Sequence, residues 1–425
     1  SNVDLNYEWA PPVGINATLL DHVAERLNGP WLCSFNVQDL ALLCNSYAQL
    51  AHPAPPLFRL AAEELLWKLP DAGPRELALV AGSYAKLRAY DATLFRHLGA
   101  LSLRSIEDIG PRHSANLLHA FARVSAPTHT KLFDGLASKL AEPGAAGDLA
   151  TLGVAHAAFA AGRAAAARPP AARARPLLEV LARRFVALLR QQHDLRPSEP
   201  ANPHHVAIFA RACLQAGLHS SRLSKFLAEM LAPEPRVSED AGSSTGVSAA
   251  ARASAAAASA AASGRTGLLE LVDAAASTLV SLERSVASRR GEVLKAEALS
   301  GAELLKEILR ASLSVLHSTR GPGQGVSATM ALMPATSSAA HEGEKRRLAA
   351  WDDRLESWLP EDWPGLFRPS LLGSAVRERS TRPEARPSSS SSGSTASRRN
   401  PGRRTGRSSN SYESQSREGN DELPG

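Results

Sequence analysis

Between residues 37 and 140 the chain writes one pattern three times, and this period constrains the fold more than any single residue does. Residues 38–50 read QDLALLCNSYAQL, residues 75–87 read RELALVAGSYAKL, and residues 112–124 read RHSANLLHAFARV. Tyr47, Tyr84 and Phe121 stand 37 residues apart, and Leu57-Phe58, Leu94-Phe95 and Leu132-Phe133 follow at steps of 37 and 38. Units of this length cannot bury an apolar stripe alone. They bury it by stacking on their neighbours, which is the logic of a solenoid.

Each unit resolves into two helices. Leu40, Leu43, Tyr47 and Leu50 fall at i, i+3, i+7 and i+10, as do Leu77, Val80, Tyr84 and Leu87, then Ser114, Leu117, Phe121 and Val124. That spacing is an apolar stripe at helical period, and it makes Tyr47, Tyr84 and Phe121 core anchors rather than a stacking platform. Pro74 and Pro111 each follow a glycine. They suit a first helical turn, where the missing N–H would have had no intrahelical partner. Asn36 caps the first copy instead. Two columns of small residues, Ala41/Ala78/Ala115 and Ala48/Ala85/Ala122, let neighbouring helices approach closely.

Other segments repeat less exactly. LLDHVAERL opens at Leu19, 38 residues before Leu57, and reads as the second helix of a degenerate unit over 1–36 that stops at Gly29-Pro30. A fourth unit starts near Asp148, centres on Phe159, and is interrupted over 163–176 before its second helix resumes at Leu177. A fifth runs from His204 and Arg222 to about Leu231. The expectation is an all-α fold, an α-solenoid of about five helix-hairpin repeats over 37–232. Ser/Ala/Gly-rich residues 233–265 then read as a low-complexity linker. Residues 266–318 read as a helical hairpin, with a Ser300/Glu303 capping box. A linker over 319–343 precedes a short amphipathic segment, 344–372, in which Leu348, Trp351, Leu355 and Trp358 repeat at helical spacing. It reads as a packing segment returning to the solenoid. Residues 373–425, rich in Ser, Arg and Gly, read as a disordered tail.

Composition narrows the function classes. Aromatic residues are only 5% of the chain, and the apolar filler is alanine and leucine, which favours helix packing over a sandwich. Net charge is +6 with a pI near 9.4, a modest pointer to polyanions. Cys33, Cys44 and Cys213 are odd in number and form no CxxC, which argues against a disulfide framework or zinc knuckle. No run of 18 apolar residues suggests a membrane span. The chain opens Ser1-Asn2-Val3 without a visible targeting peptide, and one can lie upstream. The 13 histidines look scattered, and no HExxH occurs. Adjacent His204 and His205 do not face one helical site. Gly321-Pro322-Gly323-Gln324-Gly325 lacks the strand and the Lys-Ser/Thr of a phosphate loop. The reading is a non-enzymatic protein with no cofactor, metal, membrane or small-molecule substrate.

The chemistry that remains lies in the polar columns of the first helices. Gln38, Arg75 and Arg112 are equivalent by the 37-residue step, as are Asn45, Gly82 and His119, and Gln49, Lys86 and Arg123. Within a helix these positions are spaced i, i+7 and i+11 and share a face, and Arg211 extends the last column. Stacked, they make a mostly basic ladder suited to single-stranded RNA, whose phosphates need charge and whose splayed bases need hydrogen-bond partners. The same columns also fit an ordinary solvated face, since Lys, Arg and Gln are good helix formers. Arg163, Arg168, Arg173 and Arg175 in the insertion, and ten arginines in the tail, offer further phosphate contacts or simply biased, solubilising sequence.

The recurring Ser46-Tyr47-Ala48 with Leu50 and Leu57-Phe58, Ser83-Tyr84-Ala85 with Leu87 and Leu94-Phe95, and Ala120-Phe121-Ala122 with Val124 and Leu132-Phe133 resemble the helical-hairpin repeats of organellar RNA-metabolism proteins. Those include the heptatricopeptide and octotricopeptide repeats, the FAST-kinase-like repeats, and the RNA-editing substrate-binding complex subunit-six-type repeat domain. The 37-residue period is most similar to the heptatricopeptide class. The resemblance covers about half the chain. It implies binding of organellar transcripts or ribosomal RNA, in a mitochondrion or alternatively a plastid, for RNA processing, stability or translation. Other organellar RNA-processing or ribosomal proteins are then expected partners. Many such proteins end in a nuclease-like RAP domain, but residues 375–425 lack the apolar strands it needs. Two alternatives stay open: an armadillo/HEAT-like protein–protein scaffold, and a structural subunit of a mitochondrial ribosome.

Overall fold

The computed structural model describes residues 17–27, 29–124, 130–167, 170–234, 247–288, 293–318, 348 and 350–358. All of them are helical or connecting; no strand occurs among the described residues. The helices are α1 (Ala17–Arg26), α2 (Gly29–Ser34), α3 (Val37–Gln49), α4 (Pro55–Lys68), α5 (Pro74–Lys86), α6 (Ala92–Arg104), α7 (Pro111–Arg123) and α8 (Thr130–Ala141). They continue as α9 (Thr151–Ala166), α10 (Ala174–Leu195), α11 (Pro203–Gln215), α12 (Ser221–Leu231), α13 (Ala249–Ala262), α14 (Gly264–Ser288), α15 (Val293–Ser318) and α16 (Asp352–Trp358). The expected linker at 319–343 and tail at 373–425 lie outside the described residues.

Helix starts follow local chemistry. Asn36 Oδ1 accepts from Asp39 N at 2.9 Å and Asp39 Oδ2 from Asn36 N at 3.2 Å, a reciprocal cap on α3. Pro74 and Pro111 open α5 and α7. Asp91 accepts from Leu94 N at 2.7 Å at the start of α6. Helix ends recur as well. After α3, α5 and α11 the chain turns through a left-handed residue: Ala51 (φ 50°), Arg88 (φ 56°) and Gly217 (φ 66°). The next amide then reaches back five residues, His52 to Tyr47, Ala89 to Tyr84 and Leu218 to Cys213, which satisfies otherwise orphaned carbonyls.

Two rows of helices result. One runs α3, α5, α7, α9, α11 and α14, each packed on the next; the other runs α4, α6, α8 and α10, with α12 on α15. The aromatic anchors sit between rows. Tyr47, Tyr84 and Phe121 are buried. Tyr84 packs edge-on against Phe58 (4.9 Å), Phe121 against Phe95 (5.3 Å), and Phe209 stacks on Phe185 (4.3 Å). Tyr47 and Tyr84 donate their phenol hydrogens to the carbonyls of Leu20 and Phe58, at 2.9 and 2.7 Å. The apolar stripe is wider than the period predicts: Leu43 and Leu50 are only partly buried, while Ala41, Cys44 and Ala48 are buried beside it. A helix between two neighbours in a row needs small residues on both flanks.

Three cations tie successive turns together. Lys68 Nζ donates to the carbonyls of Leu32, Cys33 and Phe35 at 3.2, 2.8 and 2.7 Å. Lys139 Nζ donates to Ile106 O at 2.8 Å and also to Glu107 O, and Arg184 donates to Leu149 O at 3.1 Å. Each cation covers carbonyls left open where a helix or 3₁₀ turn ends.

Three sequence expectations are corrected. Ser300 and Glu303 do not cap a helix, because α15 begins at Val293 and runs through both. The linker expected over 233–265 contains α13, whose Ala253, Ala256, Ala257 and Ala260 are buried against α14 and α15. Alanine is the strongest helix former, and a stripe of methyl groups permits close approach. Gly264 (φ 79°) turns α13 into α14, and a Cβ at Gly267 would lie 2.5 Å from Ala260 O, so the corner admits only glycine there. The arginine-rich insertion expected over 163–176 is shorter, because α9 extends to Ala166 and α10 begins at Ala174. Its alanines simply prolong the helices. Arg168 lies outside the described residues.

Candidate functional site

The first-helix row carries the ladder residues, but it does not treat them alike. Gln38 and Gln49 on α3 are exposed, and Asn45 is partly buried. Arg75 and Lys86 on α5 and Arg112 on α7 are exposed; His119 and Arg123 on α7 are partly buried. Burial and the neighbouring Arg123 push the Lys86 ammonium below the usual lysine range. Burial and Arg88 do the same to Arg123. Like charges are therefore gathered near the ends of α5 and α7, where the helix dipoles tolerate cations. Arg88 belongs to this group, and the periodic columns missed it because it lies in the turn after α5.

At the other end of the row the chemistry closes on itself. Arg211 on α11 is only 19% exposed in its side chain, lies 3.7 Å from the carboxylate of buried Asp273 on α14, and covers the Trp351 ring at 5.8 Å. Trp351 Nε1 donates to the same carboxylate at 3.0 Å, and Trp358 Nε1 donates to Glu283 at 2.6 Å. Leu348, Leu355 and Trp358 are buried, so α16 packs along α14. Arg211 is thus part of an internal cluster and does not extend the open ladder.

Between the two ends lies a histidine cluster. His119 of α7 and His156 of α9 stack face to face, centroids 4.0 Å apart and 5° from parallel, with Phe159 edge-on to His119 at 5.2 Å. His204 and His205 of α11 lie beside them, and His204 Nδ1 is 3.0 Å from Glu270 Oε1 of α14. Burial, then the neighbouring imidazoles and Arg123, holds His119 well below the usual histidine range. Burial and the same kinds of neighbour take His156 down to about 4, and burial and His204 take His205 to about 4. Sequence reasoning missed His156, and it set His204 and His205 aside as adjacent residues that do not face one site. The missing signal was the 37-residue step itself, which carries His119 onto His156.

The other reactive groups are occupied or shielded. The Cys33 thiol donates to Glu64 at 2.9 Å, and burial pushes Cys44 and Cys213 up to about 12, so neither buried thiol ionises near neutrality. Among the described residues no group of three or more His, Cys, Asp or Glu is placed to hold a metal ion. No described helix is long and apolar enough to cross a membrane. Arg175 pairs with Glu179 at 3.5 Å, and Arg163 covers Phe159 at 5.9 Å. What the face offers is charge, amides and imidazole edges, which suit recognition of an anion. No protein-family model matches the chain, and no curated protein matches it.

Proposed function

We propose that this chain is a non-catalytic RNA-binding protein that takes single-stranded RNA along the face of α3, α5 and α7. The carrying observation is the like-charge group Lys86, Arg88 and Arg123, held together on neighbouring helices at a cost in desolvation that a phosphate chain would offset. Gln38, Asn45 and Gln49 supply hydrogen-bonding amides at one end of that face, and Arg75 and Arg112 supply charge at the helix starts. On this reading the helix pairs are solenoid repeats of period 37. Supporting it are Ala51 and Arg88, left-handed at a 37-residue step, and the 3₁₀ turns Leu69–Asp71 and Ile106–Asp108, which begin 37 residues apart.

The resemblance to organellar helical-hairpin proteins extends the proposal to a mitochondrial RNA, or alternatively a plastid RNA, in processing, stability or translation. Ultraviolet cross-linking of the full chain to single-stranded organellar RNA, with peptide mapping, tests the surface. Cross-links within 38–49, 75–88 and 112–123 are expected. Cross-links confined to the second-helix row would contradict the proposal. A protein-scaffold reading has one observation of its own: Leu19, Trp31 and Trp67 on α1, α2 and α4 are strongly exposed, Trp67 at 84%. Binding through that apolar set would be indifferent to salt and to Lys86 and Arg123.

A further inference from the structure

The histidine cluster is a group on this face distinct from the cations Lys86, Arg88 and Arg123. Its geometry is specific. Each of His119 and His156 covers a face of the other, so the pair has edges to offer a ligand. Both are partly buried rather than sealed, and among the described residues neither ring makes a hydrogen bond or ion pair. The charged and titratable groups that act on them are Arg123 from α7 and His204 and His205 from α11; Arg163 of α9 reaches Phe159 beside them. The only carboxylate at the cluster among these contacts is Glu270 of α14, and it sits on His204.

We propose that the stacked His119–His156 pair, with His205 beside it, is a binding site for a phosphate group that takes up a proton as the phosphate arrives. Two stacked imidazoles 4.0 Å apart, in a field of Arg123 and two further histidines, cannot both carry charge while the site is empty. A phosphate at the ring edges reverses that balance. It accepts a hydrogen bond from a ring N–H, and its negative charge favours the imidazolium formed by a proton from solvent. No bond is made or broken apart from that protonation. The inference rests on the RNA-binding reading for the source of the phosphate, but its chemistry is that of any polyphosphate.

The neutral pair is consistent with the downward displacement of His119 and His156 in the protein without ligand. Affinity for a phosphate chain should therefore rise as pH falls from 7.5 to 5.5, because the bound form carries more protons than the free form. The Lys86 and Arg123 contacts add affinity without a pH step in this range.

The test uses the full chain, a labelled oligouridylate and fixed ionic strength. The expected result is binding about tenfold tighter at pH 5.5 than at 7.5, with the step lost in a His119→Gln/His156→Gln variant whatever its affinity at 7.5. An unchanged step in a folded variant, or oligouridylate binding to the wild type with no step, would overturn the site. A second readout does not depend on RNA or on the variant's folding. In wild-type protein with labelled histidine rings, tripolyphosphate should raise the titration midpoints of His119 and His156. Midpoints that ignore tripolyphosphate would also overturn the site. If oligouridylate fails to bind at either pH while tripolyphosphate moves the midpoints, the RNA reading fails and the anion site stands.

Discussion

Helices α5 and α7 turn Arg75, Lys86 and Arg112 to solvent, whereas α11 and α14 fold Arg211 in against Asp273 and Trp351. The two regions use the same kind of residue in the same row of helices for opposite ends. In the first, cations crowd one another at the ends of α5 and α7. In the second, a cation is held by a carboxylate that is 1% exposed and by an indole that donates to that carboxylate. Position in a repeating column says where a side chain lies, and only the neighbouring segment says whether it is available.

The largest expected effect breaks the contrast at its buried end. Arg211→Ala removes the guanidinium from beside the buried Asp273 carboxylate, and should cost about 3 kcal/mol in a denaturant titration. Lys86→Ala, an exposed position in the same row, should lie within about 0.5 kcal/mol of wild type. Equal losses would erase the distinction between the two regions.

A smaller effect comes from the histidines between them. His156 and His205 titrate near 4 in the folded chain and near 6.5 when unfolded, so the unfolded state binds more protons between those values. Stability is then fully present above about pH 6.5 and falls as pH drops toward 4. Between pH 7 and pH 5 each fully realised shift is worth about 1.8 kcal/mol, and partial solvent exposure lowers that to about 1 each. Thermal melts across this range should show the decline, and His156→Gln should flatten it.

Helix contact distinguishes the regions again at about 2 kcal/mol. A Cβ at Gly162 would stand 2.7 Å from the Ala212 Cα, so Gly162→Val should destabilise by about that much through overpacking of α9 on α11. Gly82, inside α5, has nothing within 4 Å of its added Cβ, and Gly82→Ala should stabilise by about 1 kcal/mol. The smallest effect concerns turns. Ala51→Gly and Arg88→Gly should each stabilise by about 1 kcal/mol, because L side chains are strained at their positive φ. Gly217→Ala should do the reverse.

The regular end of this molecule was legible in the sequence because its signals repeat. Pro74 and Pro111, the Tyr47/Tyr84/Phe121 column and the Leu-Phe pairs each support the others, so helix starts and buried anchors could be read without a structure. The irregular end has no second copy against which to check. Alanines 249–262 carry helix propensity, but the partner that buries them comes from α14 and α15, which no local pattern indicates. Trp351 and Asp273 are 78 residues apart, and an indole-to-carboxylate bond between them leaves no periodic trace. Lys68, Lys139 and Arg184 look like surface charge in the sequence, because the carbonyls they cover belong to a preceding turn. For the ladder, the columns named candidate side chains by their period alone. They did not tell that His119 would stack on His156 or that Arg211 would be covered.

The salt dependence of RNA binding tests the central claim most directly. Single-stranded RNA would be titrated with the full chain and with a Lys86→Ala/Arg112→Ala/Arg123→Ala variant at several salt concentrations and fixed pH. If these three cations meet phosphates, the variant binds more weakly and its log-affinity slope against log salt falls by roughly 2, about 0.7 for each phosphate that is no longer neutralised. Identical affinity and slope in the two proteins would contradict an RNA path along α5 and α7.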